Sequence, residues 1–261
     1  MLRVFSYWWL PLLSAIIWWG MLIALLILWV AKGRPHYSWM PENQTFPYIS
    51  YIGATTYGKP IFISCAATQG VLFIISLVAE RYLRHAGRLL PNHRRREKVL
   101  AGLAIALATI GQAGIVLVSI FDCVHYSNVH YSMLVVFIAF VGTSSLCTLG
   151  EFWCLDRHYK HFNQLKISTV VKVSWFILSL ACAIIFAAAK HHRNLSSGFE
   201  WGISFLYPFY SLCLVYDLAP AHGVPKGEYL QRAADSLYEK GAETVPIESH
   251  GAQDSVPTVF V

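Results

Sequence analysis

The sequence predicts an all-α membrane protein, with six transmembrane helices and both termini in the cytosol. Three observations carry that prediction. Of 261 residues, 56% are hydrophobic and only 13% charged, about half the charged share of a soluble domain. Six apolar stretches, at roughly 8–31, 60–83, 99–121, 129–153, 168–189 and 200–219, are each long enough for a hydrocarbon core, which takes about 20 helical residues. None alternates every second residue as a barrel strand would, so each must satisfy its backbone within a helix.

The first stretch, WWLPLLSAIIWWGMLIALLILWV, is longer than the roughly 7–15 apolar residues of a signal peptide. Trp29, Val30 and Ala31 run into Lys32 without a small-x-small cleavage pattern, so a retained span is expected. Of its doubled tryptophans, only Trp8-Trp9 can lie in an interface belt. The other spans carry their ionisable residues at their ends. Glu80, Glu151 and Asp217 fall at one side and Glu200 at the other, while Gln69 and Gln112 lie deep. A proton-coupled transporter or channel places ionisable groups near the midplane, so this pattern argues against that class. No phosphate-binding loop, nucleophile elbow or nucleic-acid motif occurs, and neither a cofactor nor a nucleic-acid partner is implied.

Orientation follows from the cations. The loop RYLRHAGRLLPNHRRREK, the stretch with Arg157, Lys160, Lys166 and Lys172, and the two termini hold fifteen of the 20 Lys and Arg. Lys32, Arg34, Lys59, Lys190 and Arg193 make up the other side. Fifteen against five places both termini in the cytosol. The glycosylation sequons at Asn43 and Asn194 then both fall in exoplasmic loops. Cys123 is the one exoplasmic thiol, which implies no disulfide framework, and Cys154 is a palmitoylation candidate. The membrane domain is expected over 1–220. Residues 221–261 read as a mostly disordered acidic cytosolic tail, with a short helix across EYLQRAADSLYEK.

Three constellations are candidates for function. FDCVHYSNVH, between the third and fourth spans, brings Asp122, His125 and His130 close together. The spacing matches no standard zinc pattern and HExxH is absent, so no metal is assigned. Contact with a lipid headgroup, a tie between two helix ends, and metal or acid–base chemistry stay open. The loop from Lys32 to Lys59 has four tyrosines, a tryptophan and three prolines before Pro60. It is too aromatic for disorder and is expected to fold over the exoplasmic face. The cytosolic cluster with Arg88, Arg94, Arg95 and Arg96 suits anionic lipid, at about 1 kcal/mol per cation near the surface, and the same charges serve topology.

The stretch FPYISYIGATTYGKPIFISCAATQG resembles the Frag/DRAM/Sfk family of six-span membrane proteins, which includes the Cwh-type N-terminal domain. The resemblance rests on Tyr48-Ile49-Ser50-Tyr51-Ile52-Gly53-Ala54, then Pro60, Ile61 and Phe62, and on Phe121, Asp122, His125 and His130. Gly33-Arg34-Pro35-His36-Tyr37 is similar to the fungal Sfk branch. The similarity covers about residues 5–220. Tyr51 stands where the family pattern has an acidic residue, which favours a non-enzymatic role.

The Sfk resemblance implies a plasma-membrane regulator that supports a phosphatidylinositol 4-kinase and phospholipid asymmetry. Its partners would be membrane lipids and a cytosolic lipid-kinase complex. The GPI-remodelling branch implies instead a lumenal lipid-remodelling factor in the ER or Golgi, and the DRAM branch a vacuolar or lysosomal protein. On the first reading, Tyr48, Ser50, Gly53, Asp122, His125 and His130 contact lipid headgroups on the exoplasmic side, and Arg88, Arg94, Arg95 and Arg96 hold anionic lipid in the cytosol. No catalytic residue is assigned.

Overall fold

A computed structural model describes residues 6–159 and 162–243. Six long helices correspond to the expected spans: α1 (Trp9–Ala31), then α3 (Gly58–His85), α4 (Arg95–Ile120), α5 (Ser127–His158), α6 (Asn163–Ala188) and α7 (Arg193–Leu218). Each is long and apolar enough to cross a membrane. A five-residue helix, α2 (Ile49–Gly53), sits in the long first loop, and α8 (Glu228–Glu243) follows the last span. The helices α6 and α7 start five and seven residues before the apolar runs they contain. Hydropathy marks the hydrocarbon crossing, and a helix continues through the polar interface beyond it. Of the tail expected to be mostly disordered, 221–261, residues 221–243 are described, with the expected short helix as α8 and the stretch before it docked on the bundle. Residues 244–261 and the counted cations Arg3 and Lys160 lie outside the described residues.

Without a hydrophobic driving force between helices in lipid, small residues that permit close approach decide the packing. The α4–α5 contact shows this. A Cβ on Gly111 would stand 2.7 Å from Val141, and one on Gly114 would stand 3.0 Å from the Phe137 nitrogen. The Ser144 hydroxyl donates to the Ala104 carbonyl at 2.7 Å across the same seam.

Polar groups join the remaining helices. Pro208 lies inside α7 and has no N–H for the carbonyl four residues earlier. That carbonyl, of Ser204, accepts the indole N–H of Trp18 at 2.9 Å, and Trp19 donates to Phe205 at 3.0 Å. Deep in the bundle, Gln69 of α3 and Gln112 of α4 both donate to the Tyr207 hydroxyl of α7.

The α8 end of the bundle is ionic inside. Arg84 bonds Glu80 at 2.8 Å and lies 3.6 Å from Glu151, which also accepts from Asn92. Lys172 is fully buried against Asp217 at 2.5 Å, with the Ser168 hydroxyl on the other carboxylate oxygen. Three cations counted above as loop charges therefore face inward, namely Arg84, Arg88 and Lys172. Without these three the sequence count stands at twelve against five.

The chain after α7 docks back on the α3–α4 turn. Arg88 donates to the Ala221 and Val224 carbonyls, Gly227 N–H to Ala86, and Tyr229 N–H to Gly87. Gly87 holds φ +64°, and a Cβ there would stand 2.9 Å from the Leu230 side chain.

Candidate functional site

At the opposite end, α2 and the two short loops form a cap over the bundle. α2 is short and its first turn has no side-chain N-cap of its own. Glu200 of α7 takes that place, accepting the Ile49 N–H at 2.8 Å and a bond from the Ser50 N–H. Thr55 ends the turn by donating to Ile52 and accepting from Gly58 N–H. Gly53 lies so near Phe62 of α3 that a Cβ would come within 2.6 Å of the ring. Tyr48 is buried, edge-on to Tyr51 and Phe186. Of the expected α2 contacts, Tyr48 and Gly53 are thus packing residues, and Ser50 alone is part-exposed and lines an internal cavity.

The Asp122, His125 and His130 stretch does not converge on one point. Asp122 is buried and accepts the backbone N–H groups of Val124 and His125 and the His125 ring, all on one oxygen. Its other oxygen meets Lys59 Nζ at 2.8 Å. Burial acts to raise this carboxyl, but Lys59 and the His125 bonds outweigh it and hold the group well below the usual carboxylate range. His125 is turned outward with its side chain 71% exposed. His130 is turned inward, its Nδ1 within 3.0 Å of the Val118 and Phe121 carbonyls at the end of α4. The stretch therefore combines an ion-paired turn with a separate helix tie. Among the described residues no three His, Cys, Asp or Glu side chains are grouped to hold a metal.

Neighbouring thiol and phenol groups are held protonated. Burial pushes Cys123 and Tyr51 each up to about 12. Burial and the hydrogen bond to Tyr57 raise Tyr37 as well. Tyr51 is buried beside Tyr48. None of these groups is a ready nucleophile or base at neutral pH.

The two sequons differ. Asn43 is exposed. The Asn194 side chain ties the first loop to α7, accepting from Thr45 N–H at 2.8 Å and Phe46 N–H at 3.0 Å. Ser196 of the same sequon is buried with its hydroxyl on Phe186.

At the α8 end Arg94, Arg95 and Arg96 are exposed around the first turn of α4. Glu97 holds that turn by accepting the His93 and Arg94 N–H groups. Arg88 departs from the expected lipid site. It is buried, clasps the chain after α7 and lies over the Tyr7 ring. The cluster is reduced to three cations.

In the sequence Glu200, Lys59 and Lys172 are legible only as charges; their roles depend on partners more than 40 residues away. Sequence spacing carries no signal for such pairs.

A family model described as the Frag1/DRAM/Sfk1/Cwh43P N-terminal domain matches residues 6–221. The chain is 31% identical to Protein SFK1 of Saccharomyces cerevisiae, over 79% of this chain and 76% of that one. It is 30% identical to Protein sfk1 of Schizosaccharomyces pombe, over 96% and 71% respectively. No solved structure matches the chain.

Proposed function

The chain belongs to the Frag1/DRAM/Sfk1/Cwh43P N-terminal domain family, and from that membership we propose that it is a non-catalytic, Sfk-like regulator of lipid organisation at the plasma membrane. In this reading the α2 end faces the exoplasm and the α8 end the cytosol, as the cation distribution supports. Anionic phospholipid gathers at Arg94, Arg95 and Arg96, and a lipid-kinase complex meets the same face.

One contrast carries the reading. Arg94, Arg95 and Arg96 at the α8 end are exposed, whereas at the α2 end Asp122 and His130 are buried and engaged by protein partners. Exposed cations beside a span attract anionic lipid, and bonded side chains tie helices.

The test is a titration of phosphatidylinositol phosphate into nanodiscs carrying the protein. Changing Arg94, Arg95 and Arg96 to Gln lowers apparent affinity about tenfold, which allows for screening of about 1 kcal/mol per cation. Unchanged affinity contradicts the proposal.

A second reading, a GPI-anchor lipid-remodelling factor acting from the lumenal side, draws on one observation. His125 is exposed and its Nδ1 is held by Asp122 at 2.8 Å, an arrangement that leaves the other ring nitrogen able to take a proton. Loss of GPI-lipid exchange in His125→Ala at normal protein level would favour it.

A further inference from the structure

Below the cap, the bundle holds a cavity of about 180 Å³ between α5, α6 and α7. Its walls include Leu134 and Ile138 of α5, Leu180 and Ala183 of α6, and Trp18 of α1. Both α5 and α6 contribute side chains to this lining. No residue of α5 from Tyr131 to Phe140 is buried, and none of α6 from Val173 to Ala188. The α5–α6 side of the cavity is thus walled by incompletely covered helix surface along the half of each helix nearer the cap.

The chemistry of the lining decides what it takes. Glu200, His130 and Tyr207 line the cavity, but each is engaged by the protein, through Ile49, the Val118 and Phe121 carbonyls, and the two deep glutamines respectively. Ser145 likewise donates to Gly142 at 2.7 Å. The buried Ser179 hydroxyl, also in the lining, has no hydrogen-bond partner within the protein. An ordered buried water needs about 2–4 polar partners, and an apolar cavity of roughly 150 Å³ prefers benzene to water. A hydrocarbon occupant fits the walls.

The geometry points to a binding site for a segment of one acyl chain of a phospholipid, drawn sideways from the leaflet at the α2 end between α5 and α6. The chain runs along Leu134, Ile138 and Leu180, while the phospholipid's polar end stays at the rim near Ser50. Because chains in bilayer and cavity are equally apolar, selection comes from fit, as in helix packing. The site rests on the lipid-regulator reading and gives it a defined lipid position at the cap.

Photolabelling tests the site. The full-length protein in nanodiscs is irradiated with phosphatidylcholine carrying a diazirine in one acyl chain, and adducts are mapped by peptide mass spectrometry. Adducts concentrate on Leu134, Ile138, Leu180 and Ala183. Gly142 lines the cavity, and a Cβ there meets nothing within 4 Å, so Gly142→Leu fills the space. It lowers those adducts about tenfold, equivalent to about 1.4 kcal/mol. Gly102→Leu, on an exposed face of α4 with similar room, leaves them unchanged. Ala183→Leu fills from the facing wall and serves if Gly142→Leu fails to fold. Adducts spread evenly over outward faces, or unaffected by filling, overturn the site. Substitution of Arg94, Arg95 and Arg96 at the other end leaves the labelling intact, so the two proposals fail separately.

Discussion

The indole N–H of Trp18 reaches the carbonyl of Ser204 at 2.9 Å, an acceptor that is available because Pro208 has no N–H to occupy it. A proline in a membrane helix leaves a polar group that lipid cannot satisfy, and here α1 supplies the donor. This contact seats the deep Trp18 and leaves its ring on the cavity wall.

Trp18→Phe removes the donor and lowers the melting temperature, with a loss of about 1–3 kcal/mol for the exposed acceptor. In Pro208→Ala the restored N–H competes for the same carbonyl. The double variant therefore loses less than the two single losses combined. A double-mutant cycle by thermal unfolding in detergent checks this coupling.

The buried Lys172 and Asp217 pair predicts an asymmetric response. Lys172→Met leaves Asp217 as an uncompensated buried carboxylate, at a cost of about 3–5 kcal/mol. Lys172→Met with Asp217→Leu recovers most of it. Yield and melting temperature of the three proteins decide the point. Equal losses in the single and double variants would show that the ion pair is not what matters at that position.

Asp122 gives a pH dependence. Its carboxyl is held below the usual range in the folded protein, so its stabilisation is present above the unfolded value of about 3.9 and is lost as pH falls through the folded value. Asp122→Asn lowers the melting temperature at pH 7. The gap between wild type and variant narrows as the pH drops below about 4. Melting curves taken across that range read it directly.

The sequons separate on geometry. Asn43 is exposed, whereas the Asn194 side chain is engaged by Thr45 and Phe46. Asn43→Gln therefore removes an endoglycosidase-sensitive gel shift, and Asn194→Gln leaves it in place. A shift that persists in Asn43→Gln would contradict the assignment and show Asn194 to be the glycosylated site.

The long helices were legible in the sequence because hydrophobic length is a property of contiguous residues. The direction of a side chain was not. Lys172 and Arg88 counted as loop cations until α6 and the chain after α7 turned them inward. Asp122, His125 and His130 looked convergent because they are close in sequence. The new helix starts at Ser127 and turns His130 onto the end of α4, while His125 remains in the loop, outside. Gly53 was legible as part of a family pattern, but its physical reason, the ring of Phe62, appears only in the packing. Hydropathy does not reveal α2, whose five residues depend on Glu200 from a distant helix.

On the proposed reading the protein is a lipid-binding regulator whose Asp122, His125 and His130 form structural ties. Native mass spectrometry of the protein released from mild detergent tests it most directly. Retained anionic phospholipid, reduced when Arg94, Arg95 and Arg96 are changed to Gln, is the predicted result. A stoichiometric zinc ion that disappears in His130→Ala would contradict it and make the loop after α4 a site of chemistry.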